Sequence, residues 1–277
     1  MVAGVDFGDA AFAADVRDNV ARIEQLMSDE LGKADELMAE AVQHLFQAGG
    51  KRFRPLFTVL SASLGPRPDD PEVTVAGAVI ELVHLATLYH DDVMDEAQMR
   101  RGAPSANARW GNNIAILAGD YLFATASRLV SLLGPDAVRV IADTFAQLVT
   151  GQMRETRGAA EHVDSVDHYL KVVYEKTACL IAASGRFGAT FSGADATRST
   201  GCTGWAGSWA PHSRFPTTSS TSTAIPTNRA RFPALTCARA CTPCRCSMRC
   251  ASRARIRIGC VSCWPDRSSA TRTSPRP

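Results

Sequence analysis

The chain has 277 residues, of which 45% are hydrophobic and 21% are charged, a length that allows one large domain or two smaller ones. The net charge of +2 conceals a break in composition, since residues 1–195 carry 17 Lys and Arg against 27 Asp and Glu, whereas residues 196–277 carry 13 Arg, no Lys and one acid. The second part has only five Ile, Leu and Val, which excludes a normal hydrophobic core there. We therefore expect a folded part, 1–195, and a disordered or weakly ordered tail, 196–277, with a boundary within three residues of position 195.

In chain order, the opening residues show no basic segment followed by an apolar run, and nowhere do about 18 apolar residues follow one another without a charge. We therefore expect no signal peptide or membrane span, and a cytoplasmic location. Apolar residues then recur every three or four positions, which is the period of an amphipathic helix, and strand-like alternation is absent. The predicted helical segments are 15–47 (two helices that part near Gly32), 52–64, 72–96, 113–133, 136–157 and 165–192. This pattern predicts an all-α bundle with the nearly uniformly apolar segment 72–96 at its centre.

The most specific motif, HDDVMDEAQMRRG at 90–102, lies at the carboxyl end of the central predicted helix. Asp91 and Asp95 are four residues apart, so both carboxylates lie on one helix face, where their repulsion and the helix dipole favour a bound cation. Oxygen ligands that leave room for water suit Mg²⁺. Arg100 and Arg101 add positive charge, and metal and guanidinium groups together suit a diphosphate. Taken alone, the motif could also be a solvated acidic helix end with two surface arginines.

A second motif, GGKRFRP at 49–55, places Lys51, Arg52 and Arg54 at a predicted helix start. Unpaired N–H groups and the helix dipole already favour an anion at such a position, so this is a second diphosphate-type site. His84 lies two turns before the first aspartate of the acidic motif and could donate to the same anion. The alternative for this residue is an ordinary core histidine.

A third motif, YEKTA at 174–178, places the Lys176 ammonium and the Thr177 hydroxyl on a mostly apolar predicted helix, where an unpaired lysine would be costly. Taken alone, this lysine could equally extend past a helix end into solvent. In this order and on helices, the three motifs resemble the trans-polyprenyl diphosphate synthases, the head-to-tail isoprenyl chain elongation enzymes. The resemblance covers residues 15–195 and implies the isoprenoid-synthase helical bundle, here incomplete at its C-terminal side.

The resemblance implies a role for each motif residue. Asp91 and Asp95 would hold the Mg²⁺ that bridges to an allylic prenyl diphosphate, with Asp92 in support. The residues that would contact the allylic diphosphate are Arg100, Lys176 and Thr177, and those that would hold isopentenyl diphosphate are Lys51, Arg54, His84 and Arg101. Gln152 matches a polar group that lines the cavity. The residues expected to take part in catalysis are Asp91, Asp92, Asp95, Arg100 and Lys176.

The reaction implied by the resemblance is ionisation of the allylic diphosphate, attack by the alkene of isopentenyl diphosphate and loss of a proton. Metal and cations would stabilise the departing charge. The resemblance also implies a homodimer and a product that can be delivered to a membrane, and we expect no nucleic-acid partner. Ala86, five residues before Asp91, is small, which favours products of twenty carbons or more.

The chain departs from the family pattern in its second half. The family has a second aspartate-rich motif, Phe-Gln-x-x-Asp-Asp-x-x-Asp, well after the Lys-Thr pair, and no such motif stands in this sequence. If each codon is read one base early, segment 217–221, TTSST, can yield Asp-Asp-Ile-Ile-Asp, and segment 213–216 can yield Phe-Gln-Ile-Pro. We therefore hypothesise a shifted reading frame that begins near residues 194–197. Without the second acidic cluster and the late helices, we expect weak or absent activity and poor stability.

Eight of the nine cysteines lie in the tail, and a shifted frame would make them by-products of altered codons. The alternative is a zinc-ribbon-like module that binds nucleic acid, since Cys241-x-x-Cys244 and Cys260-x-x-Cys263 have suitable spacing and many arginines lie nearby. Two other functions stay open for the whole chain. One is a class I terpene cyclase, which would not need GGKRFRP, and the other is a non-catalytic partner subunit that binds prenyl substrates.

Overall fold

The computed structural model describes residues 8–159, 164–195, 197–201 and 204, which all belong to one compact unit. The helices of this part are α1 (Ala10–Leu31), α2 (Glu36–Gln47), α3 (Phe53–Ala62), α4 (Pro71–Met94), α5 (Ala106–Trp110), α6 (Asn112–Ser131), α7 (Pro135–Arg157), α8 (Ser165–Val173) and α9 (Cys179–Phe191). Strands β1 (Met99–Arg100) and β2 (Ala103–Pro104) form an antiparallel hairpin between α4 and α5. A π-helical turn, Tyr174–Ala178, joins α8 to α9.

Aspartate residues are the N-caps of four of these helices. Asp9, Asp35, Asp70 and Asp164 each accept a hydrogen bond from a backbone N–H in the first turn of α1, α2, α4 and α8, respectively. An N-cap of this kind stabilises a helix by about 1 kcal/mol. In α4, Pro71 follows its cap at the first helical position, where the missing N–H costs nothing.

Helix α4 forms the centre of the bundle, as the apolar segment 72–96 predicts. Its residues are buried on nearly every face, and it packs against α1, α3, α6 and α9. Tyr89 also ties it to α2, since the fully buried hydroxyl donates to the Ala41 carbonyl and accepts the Leu45 N–H at 3.2 Å. Truncation of a buried aromatic residue typically costs about 3–5 kcal/mol. The motif at the carboxyl end of α4 is therefore attached to a rigid element.

Helices α3 and α9 cross closely because a glycine lies at their contact. A Cβ at Gly188 of α9 would collide with the backbone of Thr58 in α3, so the position has no room for a larger residue. This contact fixes α3 against the bundle. The basic segment that precedes α3 is held in place with it.

The predicted all-α class is confirmed, and each predicted helical segment contains a helix of the structure. Segment 15–47 divides into α1 and α2, with Gly32 as the C-cap of α1. The hairpin and α5 were not predicted, because two-residue strands are too short to show alternation. The π turn within 165–192 was not predicted either, because one wide turn barely changes the apolar spacing.

Helical structure continues beyond the predicted boundary at position 195. The Asp195 side chain accepts the Arg198 N–H at 2.9 Å, and residues 197–201 are helical. The Arg198 guanidinium also donates to the Leu64 carbonyl at 2.7 Å, so this turn contacts the bundle. The rest of the predicted tail, with its eight cysteines, lies outside the described residues.

Two helices, α4 and α6, are long and apolar enough to cross a membrane, with mean hydropathies of 1.4 and 1.3. In the α4 window 67% of the residues are buried inside the protein, against 44% in the α6 window. The core helix of a globular protein passes the same test, so length and composition are weak evidence for a span. The burial of α4 accounts for its apolar sequence.

Candidate functional site

Asp91 and Asp95 lie at the carboxyl end of α4, where Asp91 is in the last turn and Asp95 is the C-cap residue. The Asp95 N–H donates to the Asp91 carbonyl at 2.8 Å, so helical register continues through both residues and their side chains share a face. Burial raises the pKa of the Asp91 carboxyl, the Lys176 ammonium lowers it, and the Asp95 carboxylate raises it again. A cation bound between the two carboxylates would relieve their repulsion.

Asp92, between them in sequence, is fully buried and bound to the hairpin. Its Oδ1 accepts a hydrogen bond from Arg100 Nε at 2.6 Å and pairs with a second nitrogen of the same guanidinium. Burial raises the pKa of the Asp92 carboxyl, whereas the hydrogen bond from Arg100 lowers it. The other oxygen, Oδ2, is buried without a hydrogen-bond partner in the described residues. An orphaned carboxylate oxygen beside Asp91 is compatible with a site that a hydrated cation completes.

The donor set at the end of α4 fits magnesium. No group of three or more His, Cys, Asp or Glu side chains in the described residues could hold a metal without further ligands. Mg²⁺ does not need such a cage, because it usually keeps several waters and binds through one or two carboxylates together with substrate phosphates. Structural zinc needs about four nitrogen or sulfur ligands instead. Cys179, the described cysteine, is buried in the bundle, and burial raises the pKa of its thiol to about 12.

The hairpin places its two arginines in different surroundings. Arg100 ends β1 and pairs with Asp92, whereas Arg101 adopts left-handed backbone with φ of 54°. The Arg101 guanidinium donates to the Leu45 carbonyl at 3.0 Å and to a second carbonyl in the loop after α2. It also lies 3.8 Å from Glu81 Oε1. The hairpin is therefore fastened to both α2 and α4.

The three cations of GGKRFRP occupy three different environments. Lys51 is exposed on the loop. Arg52 has left-handed backbone with φ of 47° and is turned inward, with Nε 2.7 Å from Glu24 and Nη1 3.3 Å from Glu81. Arg54, in the first turn of α3, has a buried Nε without a hydrogen-bond partner in the described residues. Burial lowers the pKa of the Arg54 guanidinium, and the negative charge of Glu81 raises it. The Arg54 Nε is therefore a hydrogen-bond donor that lies within the electrostatic influence of the Glu81 carboxylate.

His84 lies on α4 among these arginines. Burial lowers the pKa of the His84 imidazole well below its ordinary value of 6.5, and Arg54, Arg101 and Arg100 lower it further. The imidazole is therefore neutral at pH 7 and has one N–H to donate. The His84 N–H and the unpaired Arg54 Nε are two hydrogen-bond donors that together suit an anion.

Lys176 and Thr177 lie within the π turn, Tyr174–Ala178. Such a turn widens a helix locally and occurs frequently at functional sites. At Gly151 of α7 an added Cβ would come within 2.7 Å of the Lys176 backbone nitrogen. The missing side chain lets α7 approach the turn that carries both residues.

Two adjacent ion pairs join α7 to the π turn. The Lys176 ammonium pairs with Glu155, and the Arg154 Nε lies 2.8 Å from a carboxylate oxygen of Glu175. In the first pair α7 contributes the acid and the π turn the base, and in the second pair α7 contributes the base and the π turn the acid. This arrangement fixes which residue of the turn faces α7, and it fixes Lys176 near Asp91.

A cavity of about 580 Å³ extends beside the carboxyl end of α4, between α4, α6, α7 and the π turn. Asp91, Gln152 and Lys176 contribute polar groups, and Gln152 Oε1 is buried without a hydrogen-bond partner in the part of the chain that is described. The rest of the wall is mainly apolar and includes Val93, Ile116, Phe145, Leu148 and Met153. Thr87 also lines the cavity, whereas its neighbour Ala86 is fully buried in the helical core.

The predicted site residues thus form two groups, each with one member on α4. One is the cavity group of Asp91, Gln152 and Lys176, and the other is the cationic group of Arg54, His84 and Arg101. Arg100 acts on both, because its charge affects the pKa of Asp91 and the pKa of His84. Lys51 and Asp95 are exposed, and Thr177 is half-buried.

Besides Glu24 on α1, sequence reasoning missed three acids that hold the cations in place, namely Glu81, Glu155 and Glu175. Glu81 had a detectable signal, since it is a charged residue inside an otherwise apolar helical segment. The sequence signal for Glu155 and Glu175 was weak, because acids near a helix end are common and do not indicate which residue they bind. The inward position of Arg52 could not be read from the sequence, which presents it as one of three equivalent cations.

Residues 35–204 match a family model described as polyprenyl synthetase. The chain is 75% identical over 194 residues to the nonaprenyl diphosphate synthase of Mycobacterium tuberculosis, a match that covers 70% of this chain and 58% of that protein. It is 60% identical over 194 residues to the dimethylallyltranstransferase of the same organism, over 70% of this chain and 60% of that protein.

A solved structure with a similar fold is a geranylgeranyl pyrophosphate synthase from Corynebacterium glutamicum, crystallised with calcium and isoprenyl diphosphate. It superposes with a TM-score of 0.68 and 46% sequence identity, over 74% of this chain and 63% of that one. The chain therefore spans less than two thirds of the length of these relatives. The predicted isoprenoid-synthase bundle is confirmed by this likeness.

Proposed function

Because this chain belongs to the polyprenyl synthetase family, we propose that it binds an allylic prenyl diphosphate and isopentenyl diphosphate at two sites beside α4. The proposed reaction is their head-to-tail condensation. The two Mycobacterium tuberculosis relatives are prenyl-transferring proteins by name, and the Corynebacterium glutamicum structure contains isoprenyl diphosphate, which supports this substrate class.

One observation carries the proposal: Asp91 and Lys176 line the same largely apolar cavity of about 580 Å³. An allylic prenyl diphosphate has a doubly charged head and a long hydrocarbon tail. The carboxylate can recruit a cation to the head, the ammonium can contact it directly, and the apolar wall can hold the tail.

The cationic group beside α4 supports a separate site for the second diphosphate. Arg54 offers an orphaned buried donor, His84 is a neutral donor, and Arg101 adds fixed positive charge. Isopentenyl diphosphate has a short tail and needs mainly cations and donors. This group lies apart from the cavity, so both substrates can be bound at the same time.

Asp91 and Asp95 would hold Mg²⁺, which when bound neutralises charge on the allylic diphosphate. The Lys176 ammonium stabilises the leaving diphosphate as the allylic carbon–oxygen bond breaks. The apolar cavity wall excludes water from the resulting allylic cation. The alkene of isopentenyl diphosphate then attacks that carbon, a carbon–carbon bond forms, and one proton is lost from the adduct. Asp92 keeps Arg100 oriented through these steps.

The tail from residue 196 onward is proposed to be the product of a shifted reading frame. The family match ends at residue 204, close to the predicted break near residues 194–197, which supports this proposal. This chain lacks the family's second aspartate-rich motif, so we expect weak or absent turnover from it. Resequencing the gene across the codons for residues 185–225 tests this directly. An altered base count would restore Asp-Asp-Ile-Ile-Asp, whereas an unchanged frame would leave a damaged synthase.

Substrate binding can be tested without turnover by calorimetric titration of a non-ionising allylic analogue, farnesyl thiodiphosphate, with and without Mg²⁺. We expect Mg²⁺-dependent binding that Asp91→Asn with Asp95→Asn abolishes. The matched control is Asp143→Asn, which removes an exposed carboxylate of α7 outside the cavity. Binding that ignores Mg²⁺, or that survives the double substitution, would rule out the proposed metal site.

A homodimer and delivery of the product to a membrane stay predictions from the family resemblance, and a cytoplasmic location stays a prediction from the sequence. The alternatives of a terpene cyclase and a non-catalytic partner subunit gain no support from the cationic group or the relatives. Product analysis distinguishes a terpene cyclase from a synthase, and co-purification with an active homologue distinguishes a partner subunit.

A further inference from the structure

Two arginines from separate segments converge on one buried carboxylate, Glu81. Arg52 precedes α3 and Arg101 forms the hairpin turn, yet their guanidinium nitrogens lie 3.3 Å and 3.8 Å, respectively, from the same Glu81 oxygen. Both residues have left-handed backbone, with φ of 47° and 54°. Among the described residues Glu96 is the one other non-glycine with positive φ. Strained backbone of this kind persists where surrounding contacts over-determine it.

Glu81 lies ten residues before Asp91 in the middle of α4, and only 2% of its surface is exposed. A buried carboxylate is costly unless several charged partners surround it. Burial raises the pKa of Glu81, and Arg54, Arg52 and Arg101 each lower it. The charges of the three arginines offset this cost, and Arg52 and Arg101 fix the carboxylate by direct contact.

The same arginines fasten the surrounding backbone. Arg52 Nη2 donates to the Phe46 carbonyl at 2.9 Å, and Arg101 Nη1 donates to the Leu45 carbonyl at 3.0 Å. Gly50 passes so close that a Cβ there would lie 2.9 Å from the Arg101 guanidinium carbon. The end of α2, the basic segment and the hairpin turn are thus held around one carboxylate.

We propose that Glu81 is the positioning residue of the cationic site, whose carboxylate sets the arrangement of Arg54 and Arg101 for a diphosphate. This inference rests on the proposed binding of isopentenyl diphosphate at that site. One negative charge among three guanidinium groups limits their repulsion before the substrate arrives. With Glu24 also paired to Arg52, the cluster keeps a net positive charge, which attracts a diphosphate.

The test is calorimetric titration of the full chain with isopentenyl diphosphate, which cannot react without an allylic partner. For Glu81→Gln we expect affinity for isopentenyl diphosphate to fall about 10- to 100-fold, because misplaced binding groups lose affinity steeply. Affinity for farnesyl thiodiphosphate with Mg²⁺ should stay within about twofold, because that ligand uses the cavity. A merely structural role would weaken both ligands together.

The matched control is Glu24→Gln, which removes the other carboxylate bound to Arg52, at 2.7 Å, but is not in contact with Arg101. We expect this variant to bind isopentenyl diphosphate within about twofold of the wild type. An equal loss in both variants would overturn the assignment of Glu81, since any loosening of Arg52 would then suffice.

Circular dichroism shows whether Glu81→Gln is folded. If it is not, Glu81→Asp decides, because it keeps the charge but withdraws the carboxylate by one methylene. Selective weakening of isopentenyl diphosphate supports the positioning role, and unchanged affinity overturns it. If the wild-type chain binds farnesyl thiodiphosphate but not isopentenyl diphosphate, the proposed function of the cationic site fails, and this inference fails with it.

Discussion

The buried carboxylate of Asp92 pairs with two nitrogens of the Arg100 guanidinium, and Arg100 Nε lies 2.6 Å from Asp92 Oδ1. The acid belongs to the motif that carries the proposed metal ligands, and the base belongs to the hairpin beyond it. The middle aspartate of the motif therefore orients an arginine. Its neighbours Asp91 and Asp95 keep their carboxylates for a cation.

This relationship predicts the effect of Asp92→Asn. The substitution keeps the volume but removes the charge that holds Arg100, so the free energy of unfolding should fall by about 1–3 kcal/mol. Arg100→Gln should cost a similar amount, and the double variant should cost clearly less than the sum of the two. Urea denaturation of all four proteins measures this coupling. Strictly additive losses would show that the two side chains act independently.

Gly50→Ala should damage the cationic site without changing its charges. The new Cβ would meet the Arg101 guanidinium at 2.9 Å, so Arg101 has to move. Gly134→Ala is the control, because Gly134 before α7 also has positive φ but an added Cβ there meets nothing within 4 Å. Both variants suffer backbone strain of about 1 kcal/mol, but only Gly50→Ala should weaken isopentenyl diphosphate binding. Comparable affinities in the two variants would contradict this expectation.

The reversed ion pairs between α7 and the π turn predict a charge-swap rescue. Arg154→Glu places two acids in contact with each other, and Glu175→Arg places two bases together, so each should weaken farnesyl thiodiphosphate binding and lower the melting temperature. The combined variant restores opposite charges and should recover most of both losses. Failure of the double swap to recover would mean that the Arg154–Glu175 pair does not position Lys176.

His84 predicts a pH dependence of stability. Burial and the charges of Arg54, Arg101, Arg100 and Arg52 hold the folded-state pKa of His84 well below the ordinary value of 6.5. As the pH falls below about 6.5, His84 becomes protonated in the unfolded chain but stays neutral in the folded protein. The free energy of unfolding therefore falls by up to about 1.4 kcal/mol per pH unit. His84→Gln removes this contribution. Urea denaturation at pH 7.5 and 5.5 should therefore show that the free energy of unfolding falls more in the wild type than in the variant. Equal decreases would refute the predicted role of His84.

The helices could be predicted from apolar periodicity because the bundle places one face of each helix in the core. Asp91 and Asp95 could be predicted as a pair because helix geometry fixes the side-chain separation of residues four apart. The directions of Lys51, Arg52 and Arg54 could not, because they follow from one left-handed residue and from partners as distant in sequence as Glu81. The hairpin and the π turn escaped prediction because each involves fewer residues than a periodic pattern needs.

Both proposed diphosphate sites are attached to a single helix, and α4 therefore sets the spacing between two substrates. Ten residues of α-helix separate Glu81 from Asp91, a rise of about 15 Å. One residue inserted between His84 and Asp91 would turn the acidic pair by about 100° relative to Glu81 and His84, although no charged group would be lost. The number of residues between Glu81 and Asp91 therefore determines how the two proposed sites face each other.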